Sequence, residues 1–120
     1  SGVSQIYQGG VCSYSNNVKM KILGVREETL KEFGAVSSQT AKEMANGVRN
    51  ALESDIGIGI TGIAGPLSDN TDKPVGLIYV SIADGEAAKV IELRNNFTDN
   101  VRLQNRLSAV ETALQLLNKH

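Results

Sequence analysis

The chain has 120 residues, 41% of them apolar, with 12 basic and 13 acidic side chains and a formal net charge of −1. That is enough for a single domain with one core, burying roughly two-thirds of the unfolded surface. The near-neutral charge and an aromatic content of only 4% argue against a nucleic-acid face with base-stacking platforms, and the longest strongly apolar run, residues 75–83, falls far short of the ~20 residues of a membrane-spanning helix.

Residues 6–14 are rich in β-branched and aromatic side chains, with Gly9-Gly10 inside the run. They predict a strand with a bulge or a close backbone approach at the glycines. Ser15 or Asn16 then caps a short helix through Val18, Met20 and Leu23 that stops at Gly24. A second short helix covers residues 26–33 and ends at Gly34, with Glu27 and Glu28 suiting the positive end of its dipole. Ser37 or Ser38 caps a third, whose Ala41, Met44, Ala45, Val48 and Leu52 form one apolar face.

Ile56-Gly57-Ile58-Gly59-Ile60 alternates strictly, so one face of this strand is isoleucine and the other bare backbone that a helix or ligand can approach. A loop over residues 61–74 leads to two strands, 76–83 and 88–93, joined across Asp84-Gly85 as an antiparallel hairpin. The last helix, residues 98–118, carries Leu103, Leu107, Val110, Leu114 and Leu117 at alternating spacings of four and three. That stripe fits a helix lying on the sheet, and it is also the spacing of a coiled-coil seam that would support a homodimer. The whole reads as one α/β domain with a mixed sheet.

Gly57-x-Gly59-x-x-Gly62 matches the dinucleotide-binding fingerprint, but its glycines lie within a strand and no helix opens at the third, so the match is rejected. Cys12 and His120 are the single cysteine and histidine. An internal disulfide is impossible, zinc sites and histidine-based triads are disfavoured, and Cys12 reads as a small apolar strand residue of a cytosolic domain. Asn96-Phe97-Thr98 matches a glycosylation acceptor and reads as chance without a secretory signal.

Two constellations carry chemistry. Thr61-Gly62-Ile63-Ala64-Gly65-Pro66 leaves the end of the glycine-faced strand, where open α/β sheets place ligands. Its small residues let backbone N–H groups converge on an anion, and Lys73 adds a cation beside Pro74. In Tyr14-Ser15-Asn16-x-x-Lys19 the lysine falls in the first helical turn. The positive helix end there favours the neutral amine, which can act as a general base.

Taken in order, Gly9-Gly10-Val11, Tyr14-Ser15-Asn16-x-x-Lys19, Leu23-Gly24-Val25, Gly34-Ala35-Val36-Ser37, Thr61-Gly62-Ile63-Ala64-Gly65-Pro66 and Lys73-Pro74-Val75-Gly76 resemble the motifs of the C-terminal domain of the competence/damage-inducible (CinA) family, over nearly all of the chain. The resemblance implies a three-layer α/β/α domain with a mixed, mostly parallel sheet. It also implies hydrolysis of the carboxamide of nicotinamide mononucleotide to nicotinate mononucleotide and ammonia, in pyridine-nucleotide salvage. On this reading Lys19 is the base and Tyr14 orients the amide or passes protons. Asn16, Thr61, Gly62, Ala64, Gly65, Lys73 and Arg102 form the substrate-binding set, and no metal or cofactor is needed. The expected partners are the nucleotide substrate and a second copy of the chain, with neither nucleic acid nor membrane; a DNA-binding competence factor conflicts with the charge.

The chain also departs from the family pattern. The family begins with a strand and a Ser-Cys-Thr-Gly-Gly helix start that supplies its serine nucleophile. This sequence opens at Ser1-Gly2-Val3-Ser4 and reads as the same domain lacking that first strand and helix. The loop after Pro66 is Leu67-Ser68-Asp69-Asn70, where the family is glycine-rich. Aligning Arg102 with the family arginine requires one inserted residue in Phe97-Thr98-Asp99-Asn100-Val101-Arg102. A catalytically silent nucleotide-binding or oligomerisation module is the alternative reading.

Overall fold

The computed structural model describes residues 7–120. In it, Ser15 caps α1 (Asn16–Lys21) by accepting a hydrogen bond from the Val18 N–H. α2 (Glu27–Phe33) ends at Gly34, whose φ of 84° only glycine adopts without strain. Ser37 caps α3 (Ser38–Ala51) through the Thr40 N–H. Then come β1 (Gly57–Gly62), β2 (Leu77–Ala83), β3 (Ala88–Arg94) and α4 (Val101–Lys119).

The three strands form one sheet in the order β1-β2-β3, and both ladders are antiparallel. The β2–β3 hairpin forms as its turn residues predict: Asp84 Oδ1 accepts from the N–H groups of Glu86 and Ala87, each at 2.9 Å. β1 and β2 also pair antiparallel despite the long loop between them. Ile63 extends their pairing by donating to Leu77 O and accepting from Gly76 N. The mostly parallel sheet expected from sequence is therefore not what the described strands form. Residues 7–14 form no strand either, and Ile6, where the expected strand began, lies outside the described residues. Cys12 is correspondingly exposed rather than buried in a sheet.

The α/β character and the layering do hold. α3 lies on the bare face of β1. A Cβ built on Gly57 would sit 2.0 Å from Ala45 O, and one on Gly59 would sit 2.5 Å from Ala41 O. Ala41 and Ala45 are fully buried there. The opposite face carries Ile78 and Val80, which pack with Ala109 and Ala113 of α4. The sheet thus sits between α3 and α4, with α1 and α2 extending the α3 side through Leu23, Val25 and Leu30.

α4 departs from expectation in its orientation. It starts at Val101 rather than Thr98, after Asn100 in a left-handed conformation. It meets the sheet through small and polar residues, Asn105, Ala109, Thr112 and Ala113, while its leucine stripe is exposed. Small side chains let the helix axis come close to Ile78 and Val80, and that close approach leaves the larger stripe outside.

Candidate functional site

Lys19 is the most unusual residue of the first constellation. It is only 7% exposed, and its ammonium donates to Ser13 O at 2.9 Å. Burial pushes its pKa below the ordinary 10.5, with a weaker opposing pull from Cys12. The shift is toward the neutral amine, and its cause is desolvation by burial. Tyr14, beside it in sequence, is 95% exposed, and Asn16 is exposed on the first turn of α1. Tyr14 and Asn16 therefore stand at the surface and Lys19 beneath it.

The second constellation leaves the end of β1. Thr61 is buried and its hydroxyl donates to Ala35 O at 2.6 Å, tying the strand end to the turn before α3. Gly62 is the last strand residue, opposite Ile78. Beyond Ile63 the pairing stops. Ala64 O accepts from Asn105 Nδ2 at 2.9 Å, and Gly65 O lies 3.4 Å from an Arg102 guanidinium nitrogen. Among the described residues the N–H groups of Ala64 and Gly65 have no partner. Gly65 has a φ of 82°, a left-handed turn conformation that favours glycine. Pro66 and Arg102 open onto a hollow of about 550 Å³, also lined by Asn100, Val101, Leu103 and Arg106. Another hollow, of about 510 Å³ between α1 and α3, contains no sequence-predicted site residue.

Lys73 has a different position from the one its motif suggested. Its ammonium donates to Phe33 O at 2.6 Å and, more closely still, to Val36 O. Phe33 closes α2, so the lysine binds the negative end of that helix and pins the loop to it. Two of its three donors are committed to protein carbonyls, so Lys73 anchors the loop after β1 to the end of α2 and the turn that follows it. No hydrogen bond or ion pair among the described residues joins the Lys19 group to the Thr61–Gly65 turn, so the two constellations are built as separate units.

Sequence reading missed Asn105. It is 1% exposed, with Nδ2 holding Ala64 O and Oδ1 lacking a protein partner. The signal was available in principle: an amide in register with Ala109, Thr112 and Ala113 marks a small, polar helix face, which the leucine stripe overshadowed.

The family described as the CinA C-terminal domain matches residues 1–120. A CinA-like protein of Syntrophomonas wolfei is 47% identical over 120 residues, covering all of this chain and 28% of the relative. A putative competence-damage inducible protein of Acetivibrio thermocellus is 53% identical over 93 residues, 78% of this chain and 22% of the relative. The chain thus spans about a quarter of the length of these curated relatives. Among solved structures, the competence/damage inducible protein CihA from Agrobacterium tumefaciens superposes with a TM-score of 0.80 at 39% identity, over 89% of this chain and 64% of that one. A CinA superfamily protein from Escherichia coli gives 0.78 at 27% identity, over 89% and 61%.

Proposed function

Because the chain belongs to the CinA C-terminal domain family, we propose that its domain serves a cytosolic nicotinamide-nucleotide amidohydrolase, which cleaves the carboxamide of nicotinamide mononucleotide to nicotinate mononucleotide and ammonia. The observation that carries this reading is the buried Lys19, whose amine is biased toward its neutral form. Amide hydrolysis needs a base to take the proton of the attacking hydroxyl and then return it to the departing nitrogen. An amine whose pKa is lowered by burial gives up and takes back a proton more readily than an exposed lysine, and Lys19 is the residue this environment prepares for both transfers. Tyr14 and Asn16, exposed beside it, orient the carboxamide.

The other end of the substrate is a phosphate. The free N–H groups of Ala64 and Gly65, with Arg102 beside them, are suited to it. Thr61 and Asn105 hold this turn in shape through Ala35 and Ala64, and Lys73 ties the loop that follows it to the end of α2. The attacking hydroxyl in this reading is the serine of the family's Ser-Cys-Thr-Gly-Gly element. Ser15 is occupied as the α1 cap, and Ser13 meets Lys19 through its carbonyl rather than its hydroxyl.

The test is ammonia release from nicotinamide mononucleotide by this chain and by a version joined to that element from a relative. Turnover in the joined version supports the reading. Nucleotide binding without turnover in either, with the fold intact, would replace it with the binding-module alternative.

A further inference from the structure

Asn105 is out of keeping with the helix face it occupies. That face of α4 meets the sheet through Ala109 and Ala113, and Asn105 is buried beside them at 1% exposure. Its Nδ2 donates to Ala64 O at 2.9 Å, while its Oδ1 is buried without a partner among the described residues. A buried amide oxygen with no donor is destabilising, and an apolar side chain of similar size carries no such penalty. Packing therefore does not account for an amide here, whereas the bond to Ala64 does.

That bond fixes a stretch of chain that the sheet leaves free. Ile63 is paired in both directions, donating to Leu77 O and accepting from Gly76 N, but neither Ala64 O nor Gly65 O has a backbone partner among the described residues. Both carbonyls turn to α4 instead. Ala64 O meets Asn105, and Gly65 O meets Arg102 Nη1 at 3.4 Å, from one helical turn earlier. The turn lies close against the start of the helix, where a Cβ on Gly65 would fall 3.1 Å from Val101 Cγ1. Glycine's backbone freedom lets the two carbonyls rotate unless a partner holds them. Of the two holders, Asn105 is short and buried, whereas Arg102 is long, exposed and lines the hollow beside Pro66. We infer that Asn105 is a positioning residue for phosphate recognition: by holding Ala64 O it seats Gly65 O under the Arg102 guanidinium, which then presents its remaining donors to the hollow. A guanidinium carries five N–H donors in a fixed fork, so committing one of them sets the direction of the rest. This inference rests on the reading that Arg102 contacts the phosphate of the mononucleotide, and it adds what makes that contact directional.

Calorimetric binding of nicotinamide mononucleotide and of nicotinamide riboside to this chain tests the proposal. Asn105→Leu removes the unpaired oxygen together with the bond, so its Tm stays within about 5 °C of wild type. Its affinity for the mononucleotide falls roughly tenfold, while affinity for the riboside, which has no phosphate, is unchanged. In an Arg102→Ala background the same substitution causes no further loss, because the two residues act on one contact. Asn105→Ala, which matches the small residues of this face, gives the same comparison should the leucine not be accommodated. Equal losses for both ligands, or full additivity with Arg102→Ala, make Asn105 a structural brace and overturn the inference while leaving Arg102 in place. Mononucleotide binding indifferent to Asn105→Leu overturns it as well. A wild-type chain that prefers the mononucleotide no more than the riboside overturns the phosphate reading and this inference together.

Discussion

Gly59→Ala probes the contact on which the layered architecture rests. The added Cβ would lie 2.5 Å from Ala41 O, 2.7 Å from Ala45 N and 3.0 Å from Met44 Cβ. Two of these are backbone atoms of α3, flanked by alanines with no exposed surface, so no side chain can rotate out of the way. Restoring ordinary contact moves α3 off β1 by an appreciable fraction of an ångström, and a gap of 0.5–1 Å forfeits roughly a quarter to a half of each dispersion contact along the interface. Overpacking of this kind costs about 1–3 kcal/mol, and the upper end is expected where backbone meets backbone. Against a total stability of about 5–15 kcal/mol, that lowers Tm by about 10 °C in a domain of this size. Thermal unfolding followed by circular dichroism measures it, with Gly10→Ala as control. At Gly10 the new Cβ meets only the Tyr7 hydroxyl, at 3.2 Å, on an exposed segment, and a change within about 0.5 kcal/mol is expected. A Gly59→Ala protein as stable as wild type would refute the packing of α3 on bare strand backbone.

Lys19→Met removes a buried ammonium and should leave the domain at least as stable at neutral pH. Its folded pKa lies below 10.5, so between the two values the unfolded chain holds more protons and wild-type stability rises with pH. The gap between Lys19→Met and wild type should therefore close as pH approaches 10.5; a pH-independent gap in urea titrations would contradict desolvation as the cause. Thr61→Val leaves Ala35 O without its donor and should cost about 1–3 kcal/mol, read as a lower denaturant midpoint. Lys73→Met strands the carbonyls of Phe33 and Val36 and should cost a similar ~1.5–3 kcal/mol; an unchanged midpoint would show that the lysine does not anchor the loop. In a turnover-competent version, Arg102→Ala should raise KM for the mononucleotide by roughly tenfold or more. The same substitution should spare the riboside, which lacks the phosphate, and equal losses for both substrates would remove Arg102 from phosphate binding.

Local signals read well from this sequence. Of the two candidates at each helix start, Ser15 and Ser37 are the caps, and Gly34 ends α2. The Ile-Gly alternation identified the strand face that α3 covers, because each feature depends on residues only a few positions apart. Longer-range features were hidden. Strand direction in β1–β2 is set by how the 63–76 segment folds back, which no period in the sequence records. Residues 7–14 have strand composition, yet find no ladder partner among the described residues. The α4 stripe revealed an apolar surface but not what it faces, since Ala109 and Ala113 won the sheet by being small. Lys73 looked like a ligand for an anion because the sequence could not place it beside the last carbonyls of α2. Lys19 and the Thr61–Gly65 turn were legible as units; the amide of Asn105 that braces the turn required the packing of α4 to be seen.

The account rests most heavily on Lys19 as the base, and the pH dependence of nicotinamide mononucleotide deamidation tests that directly. It is measured in a version carrying the family's Ser-Cys-Thr-Gly-Gly element, with and without Lys19→Ala. The prediction is a kcat/KM that rises with pH through an ionisation below 10.5, and a loss of about 10²–10⁴-fold in the variant while its fold persists. Turnover retained in Lys19→Ala, with the same pH profile, would contradict it.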